Sequence, residues 1–244
     1  MSLIRVQKSA PSALVAAPEV RESATREQLL DAGSEVFAEC GFRRATVRDI
    51  CRRAGANVAA VNYHFGGKDE LYLAVLRRNF QSALRRFPPD GGVPAGASAE
   101  ERLAGFVRSF VDRIFVTGPD SCHGRILARE MVDPTPALDA VVETEMRGVA
   151  RGLESLVREV MGPGAEGRDV WLAMASVVSQ VVFYQHCRPV ISRLLPGLRF
   201  AEGDLAMLAA HITRFSLAGL RGSGPSAAKG RAARARSVRV GGRS

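Results

Sequence analysis

The chain has 244 residues, 46% hydrophobic and 24% charged, with four cysteines and a formal net charge of +9. That length and apolar content allow one or two ordinary domains with a real core, since about 150 residues is a usual domain size. The most apolar run, Val170 to Tyr184, is broken by Ser176, Ser179 and Gln180, so no membrane span and no membrane partner are expected.

The charge is unevenly placed. Residues 221–244 carry seven basic residues (Arg221, Lys229, Arg231, Arg234, Arg236, Arg239 and Arg243) and no acid, which leaves only two net charges for everything before them. An Arg, Ala and Gly tail buries too little apolar surface to fold, so 222–244 reads as a disordered basic tail that adds at most weak, salt-sensitive phosphate contacts. Residues 1–22 read as a disordered N-terminal arm: Arg5 and Lys8 precede Ala, Pro and Ser, and the apolar run is too short for an ordinary signal peptide. The scattered cysteines (Cys40, Cys51, Cys122, Cys187) lack C-x-x-C spacing and read as reduced packing residues of a cytoplasmic protein. Cys122-His123 and His186-Cys187 are dyads that could meet as a soft metal site, but such residues in apolar helices more often pack, and neither metal nor cofactor is expected.

In chain order, the first helix is predicted to start at Thr25, which forms a capping-box pattern with Gln28, and to carry Leu29, Gly33, Val36, Phe37 and Cys40 inward before Gly41 ends it. Phe42 anchors the turn, and Arg43 and Arg44 are expected to reach toward a DNA backbone beside Thr46. Val47, Ile50, Cys51 and Ala54 then share one face of a short helix. Gly55 supplies a positive φ, and Asn57 caps a second short helix with Val58 and Val61 on its inner side. Small residues at Cys51 and Gly55 let two helices cross closely, which is a helix-turn-helix pattern. The second helix presents Asn57, Ala59, Ala60, Asn62 and Tyr63 outward, a face without Leu, Ile or Glu that fits a major groove. Arg48, Arg52 and Arg53 lie on the exposed side of the preceding helix, open to solvent or to phosphate.

Gly66-Gly67 breaks the chain, and a helix from Lys68 to Phe87 follows with Leu71, Val75, Phe80, Leu84 and Phe87 on its apolar side, stopped by Pro88-Pro89. Pro88 to Ser98 is predicted to be a flexible loop. Leu103, Phe106, Val107, Phe110, Val111 and Ile114 form the next stripe, ending near Gly118-Pro119. Further helices are expected over Cys122–Val132, Leu138–Met161, Arg168–His186 with a kinked extension past Pro189 to Leu195, and Asp204–Leu220. No stretch alternates with a period of two, so the fold class is all-α: a helix-turn-helix domain at 23–67 and a helical connecting, regulatory and dimerisation domain at 68–221. The helices around Val170–Tyr184 and Leu205–Leu220 are too apolar for the surface of a monomer, which predicts a homodimer closed by a four-helix bundle.

The segment Thr46 to Lys68, with its Tyr-His-Phe-Gly-Gly-Lys run, closely resembles the DNA-binding domain of the tetracycline-repressor (TetR) family over about residues 24–87. The resemblance implies that Thr46, Tyr63, His64 and Lys68 hold phosphates. With the outward face and the adjacent arginine, the DNA-binding set becomes Arg44, Thr46, Asn57, Val58, Ala59, Ala60, Asn62, Tyr63, His64 and Lys68, with Asn62 the candidate for direct base contact. His123 to Pro136 and Val182 to Pro189 resemble the C-terminal domain of the CecR-like subgroup over about residues 98–215.

Family resemblance further implies an effector pocket within the C-terminal helices. Polar or polarisable residues on apolar faces nominate Arg125, Arg129, Glu130, Met131, Trp171, Met174, Gln180, Tyr184 and His186, and Phe110 joins Arg125, Arg129, Glu130, Trp171, Met174, Gln180 and Tyr184 in the pocket set. The function that follows is a regulator, read as a repressor, that binds a palindromic operator in double-stranded DNA as a homodimer and is released by a small-molecule effector through the helix from Lys68 to Phe87. The competing reading is a non-specific architectural DNA-binding protein that uses the basic tail. Enzymatic function is not expected: the sequence lacks a nucleophile elbow, H-E-x-x-H, a Walker A loop and a glycine fingerprint after a strand, and it has four histidines.

Overall fold

A computed structural model describes residues 18–116 and 121–224, with side chains from residue 21 onward. Its described residues form helices and no strand. Helix α1, Pro18–Arg44, begins earlier than expected and includes part of the predicted N-terminal arm. Thr25 is therefore an interior residue, and its hydroxyl donates to the Arg21 carbonyl at 2.9 Å instead of capping. At Gly41 (φ 77°, ψ 166°) the helix kinks, where the sequence placed its end.

The next two helices show how short polar residues fix short elements. In α2, Val47–Ala54, the Thr46 hydroxyl accepts from the Asp49 N–H at 3.1 Å and donates to Asp49 Oδ2 at 2.6 Å. Gly55 turns the corner at φ 64°, and the Cys51 thiol donates to the Asn57 carbonyl at 3.5 Å. Helix α3, Val58–Phe65, is capped by Asn57, whose side-chain oxygen accepts from the Ala59 N–H at 3.0 Å, and is closed by Gly66 at φ 85°.

Helix α4, Lys68–Arg86, lies against α1, where a Cβ added at Gly33 would come within 3.2 Å of Val75. Leu29, Phe37, Ile50, Val61, Leu71 and Val75 form a core with no measurable exposure, worth about 1.5–3 kcal/mol for each large side chain removed from water. This core also takes in Ile126 and Val141 from later helices, so its packing extends past residue 67. The Pro88–Ser98 segment is pressed onto the following helix. A Cβ at Gly91 would lie 2.3 Å from the Gly105 carbonyl, the Ser109 hydroxyl donates to the Pro88 carbonyl at 2.6 Å, and Arg113 donates to the Phe87 carbonyl at 2.7 Å. Composition predicted a flexible loop; these close contacts give it a fixed seat.

A second core joins α5 (Ala99–Val116), α8 (Arg147–Met161), α9 (Gly167–His186) and α11 (Glu202–Ser223), with Leu103, Val107, Val111, Val157, Val170, Val181 and Ile212 at its centre. Helices α6, Cys122–Glu130, and α7, Pro136–Val141, pack on α1 and α4 of the first core, and one π turn, Val142–Met146, carries α7 into α8. The long helix expected from Leu138 is thus an unbroken run of helical residues that changes its winding, and Gly162 (φ 86°) ends it. Helix α10, Arg188–Leu194, leaves α9 at 73°. Among the described residues, no single helix is long and apolar enough to cross a membrane. The expected stop at Gly118-Pro119 and the basic tail beyond residue 224 lie outside the described residues.

Candidate nucleic-acid interface

Three helices hold the reading element: α1 and α4 flank it, and α2 braces α3 through the buried pair Cys51 and Val61. Val61 is wholly buried, whereas Val58, expected beside it on the inner side, is 46% exposed. Val58 is the first residue of α3 and, at that exposure, it joins the outward set. Asn57, Ala59 and Asn62 are exposed and Tyr63 is 73% exposed, while Ala60 and His64 are half-buried. The Tyr63 and His64 rings meet edge to face with centroids 5.0 Å apart, and the Glu22 carboxylate against Tyr63 pushes its phenol up from its ordinary pKa. These side chains form a narrow outward ridge with few charges.

Cations surround the ridge in unequal states. The Lys68 ammonium lies 4.5 Å above the Phe42 ring, which presents it beside the start of α4. Arg44 is exposed and folds back by one nitrogen onto the Cys40 carbonyl at 3.1 Å. Arg43 does not stand beside Thr46 as expected: its Nε and Nη2 donate to the two Asp133 carboxylate oxygens, each at 3.0 Å. Arg53 is held by Glu39 at 2.7 Å and Arg52 by Asp49 at 2.6 Å, so neither is simply solvated, while Arg48 stays exposed. The Thr46 hydroxyl and Arg52 together hold the Asp49 carboxyl below the usual carboxylate range.

The eight effector-pocket candidates do not all gather in one place. Phe110, Met174 and Tyr184 pack against the second core, and Gln180 donates to the Ser216 hydroxyl of α11 at 3.1 Å. Arg129 and Glu130 lie against α1 and α4 of the first core: Arg129 donates to the Glu39 carbonyl at 3.0 Å, and Glu130, 2% exposed, accepts the Tyr72 hydroxyl at 2.6 Å. None of these partners comes from the second core. Trp171 is 64% exposed and points away from the second core, and Arg125 is exposed as well.

Two groups that the pocket set omitted lie deeper. Arg113 of α5 is 7% exposed, 5.4 Å from the Phe110 ring, and burial pushes its guanidinium down to about 10. His123 of α6 packs against Phe80 and is held down to about 4, first by burial and then by the Arg113 charge. A charge three residues beyond Phe110 in an otherwise apolar stripe was the available signal for Arg113. Among the described residues, no three His, Cys, Asp or Glu side chains gather around a common point.

The outer faces of α9 and α11 carry Trp171 (64% exposed), Leu172 (48%), Phe183 (57%), Met207 (58%) and Phe215 (63%). Exposed small residues separate them: Ala175, Ser176 and Ser179 on α9, and Ala210, Ala218 and Gly219 on α11. So many exposed apolar residues, interspersed with small ones and with the exposed His211 and Arg214, suit close helix packing better than they suit water.

Comparison with known proteins agrees with this architecture. Residues 29–75 match the bacterial regulatory proteins of the tetR family, and residues 99–220 match the C-terminal domain of the HTH-type transcriptional dual regulator CecR. The Shigella flexneri CecR is 25% identical over 178 residues, covering 68% of this chain and 78% of that protein. The transcriptional activator FasR of Mycolicibacterium smegmatis is 34% identical over 124 residues, 49% of this chain and only 53% of FasR. The crystal structure of the regulator FadR from Bacillus subtilis in complex with stearoyl-CoA superposes with a TM-score of 0.54 at 21% identity, covering 79% of this chain and 98% of that one. The chain belongs to the TetR family of DNA-binding transcriptional regulators, with a helix-turn-helix domain followed by a CecR-type helical domain.

Proposed function

We propose that this regulator is a homodimeric repressor that reads a palindromic operator with paired α3 helices and leaves it when a small amphiphilic molecule enters the C-terminal helices. The observation that carries the reading is the combination of an outward, uncharged α3 ridge with an unpartnered apolar face on α9 and α11. One α3 covers only a few base pairs, and a two-fold pairing of α9 and α11 supplies the second copy. In this reading Asn57, Val58, Ala59, Ala60 and Asn62 face the groove, Asn62 pairs with an adenine, and Arg44, Thr46, Tyr63, His64 and Lys68 grip phosphates.

The effector reading is supported by the second core, where Phe110, Met174 and Tyr184 share a mainly apolar region and Arg113 beside Phe110 contributes a buried cation. A long apolar chain with an anionic head matches that chemistry, and FadR of Bacillus subtilis was crystallised with such a molecule. An effector shifts the heads only by as much as it prefers one arrangement over another.

The test is to sequence genomic DNA fragments retained by the purified protein lacking residues 225–244, then to titrate the recovered site with stearoyl-CoA. Recovery of inverted repeats, and their release by stearoyl-CoA but not by coenzyme A alone, supports the proposal. Retention of arbitrary sequences contradicts it.

A further inference from the structure

The end of α6 and the turn after it grip both helices that flank the reading element. Glu130 accepts three hydrogen bonds while 2% exposed: from the Tyr72 hydroxyl at 2.6 Å, the Thr135 N–H at 3.0 Å and the Thr135 hydroxyl at 3.1 Å. Tyr72 lies one helical turn past Lys68, and its ring is 4.9 Å from Phe42, the ring on which the Lys68 ammonium rests. Two residues of the same segment hold the other flank. Asp133 takes the bidentate grip of Arg43 at 3.0 Å, and Arg129 donates to the Glu39 carbonyl at 3.0 Å beside the Gly41 kink.

A buried carboxylate is a poor way to gain stability, because desolvation offsets most of what its hydrogen bonds return, and an apolar residue of similar volume would do as well. Its bonds are directional, however: Thr135 holds the carboxylate from its own segment, so a small rotation of α4 against α6 would strand the buried Tyr72 hydroxyl without its acceptor. We propose that Glu130 is a positioning residue for DNA reading: with the Asp133–Arg43 pair, it fixes the tilt of the helix-turn-helix against the C-terminal helices and thereby sets the separation of the two reading heads. The inference rests on the dimeric-operator reading above.

The experiment titrates wild type, Tyr72→Phe, Glu130→Gln and Asp133→Asn against symmetric duplexes that carry the recovered half-sites with their separation changed one base pair at a time. The readout is the affinity ratio between best and neighbouring separations, which cancels any loss of folded protein. Wild type is expected to lose about tenfold for each step from its best separation, and each variant about threefold or less. Asp133 and Arg43 are exposed, with side chains 61% and 75% accessible, so Asp133→Asn keeps its fold even if a change at Glu130 does not. Unchanged ratios in Asp133→Asn and Tyr72→Phe overturn the inference while leaving the operator reading intact. A wild type indifferent to separation overturns both.

Discussion

Phe215→Ala is expected to weaken self-association without loosening the protomer. Phe215 is 63% exposed on α11, so it contributes little to the fold of one copy, unlike Ile212, one turn away and wholly buried. Burying a phenylalanine completely is worth about 1.5–3 kcal/mol, so covering the part still open to water is worth about 1–2 kcal/mol per copy. In a two-fold interface each substitution acts twice, giving about 2–4 kcal/mol per dimer, or roughly thirty- to several-hundred-fold in the dissociation constant. Sedimentation velocity over a wide concentration range measures that constant, and the thermal midpoint of the dilute protein reports the protomer. If Phe215→Ala and Trp171→Ala both left the dimer constant unchanged, or if the substitutions unfolded the protomer, α9 and α11 would not be the self-association surface.

Lys68→Ala should lower affinity for all DNA sequences alike and reduce the slope of log affinity against log salt by about one ion, as removal of one phosphate contact does. Asn62→Ala should cost about 1–3 kcal/mol of discrimination at one base pair and little elsewhere, and intact discrimination in a base-by-base operator scan would remove Asn62 from the reading face. His123 is held near 4 against 6.5 for an open histidine, so the unfolded chain binds the extra proton between those values. Stability is therefore full above about 6.5 and falls by about 3 kcal/mol as pH drops toward 4. His123→Leu should flatten that slope in denaturant titrations between pH 4 and 7, and an unchanged slope would mean another group carries it.

The features legible in the sequence were those set by near neighbours. Thr46 and Asn57 cap because their side-chain oxygens reach an N–H two or three residues on, and Gly41, Gly55, Gly66 and Gly162 take backbone angles that other residues resist. Local chemistry also misled where context competed: Thr25 has a capping pattern, yet helical residues upstream turn its hydroxyl to Arg21. Contacts between distant positions were not legible. Nothing near Arg43 announces Asp133, ninety residues later, and nothing near Glu130 announces Tyr72. Trp171 was assigned to a pocket because α9 is apolar on most sides, and an apolar residue alone does not say which side faces the core and which faces outward.

A duplex bearing the recovered inverted repeat, a duplex bearing one half of it and a scrambled duplex, titrated side by side at fixed salt with the protein stoichiometry counted, decide whether two α3 helices read DNA together. Two protomers should bind the full repeat at low concentration, with the half-site far weaker and the scrambled duplex weaker still, the two halves lying about one turn of DNA, 34–36 Å, or a multiple of it apart. One protomer per duplex, or equal affinity for all three, would show that this chain does not act as a paired reader of a symmetric site.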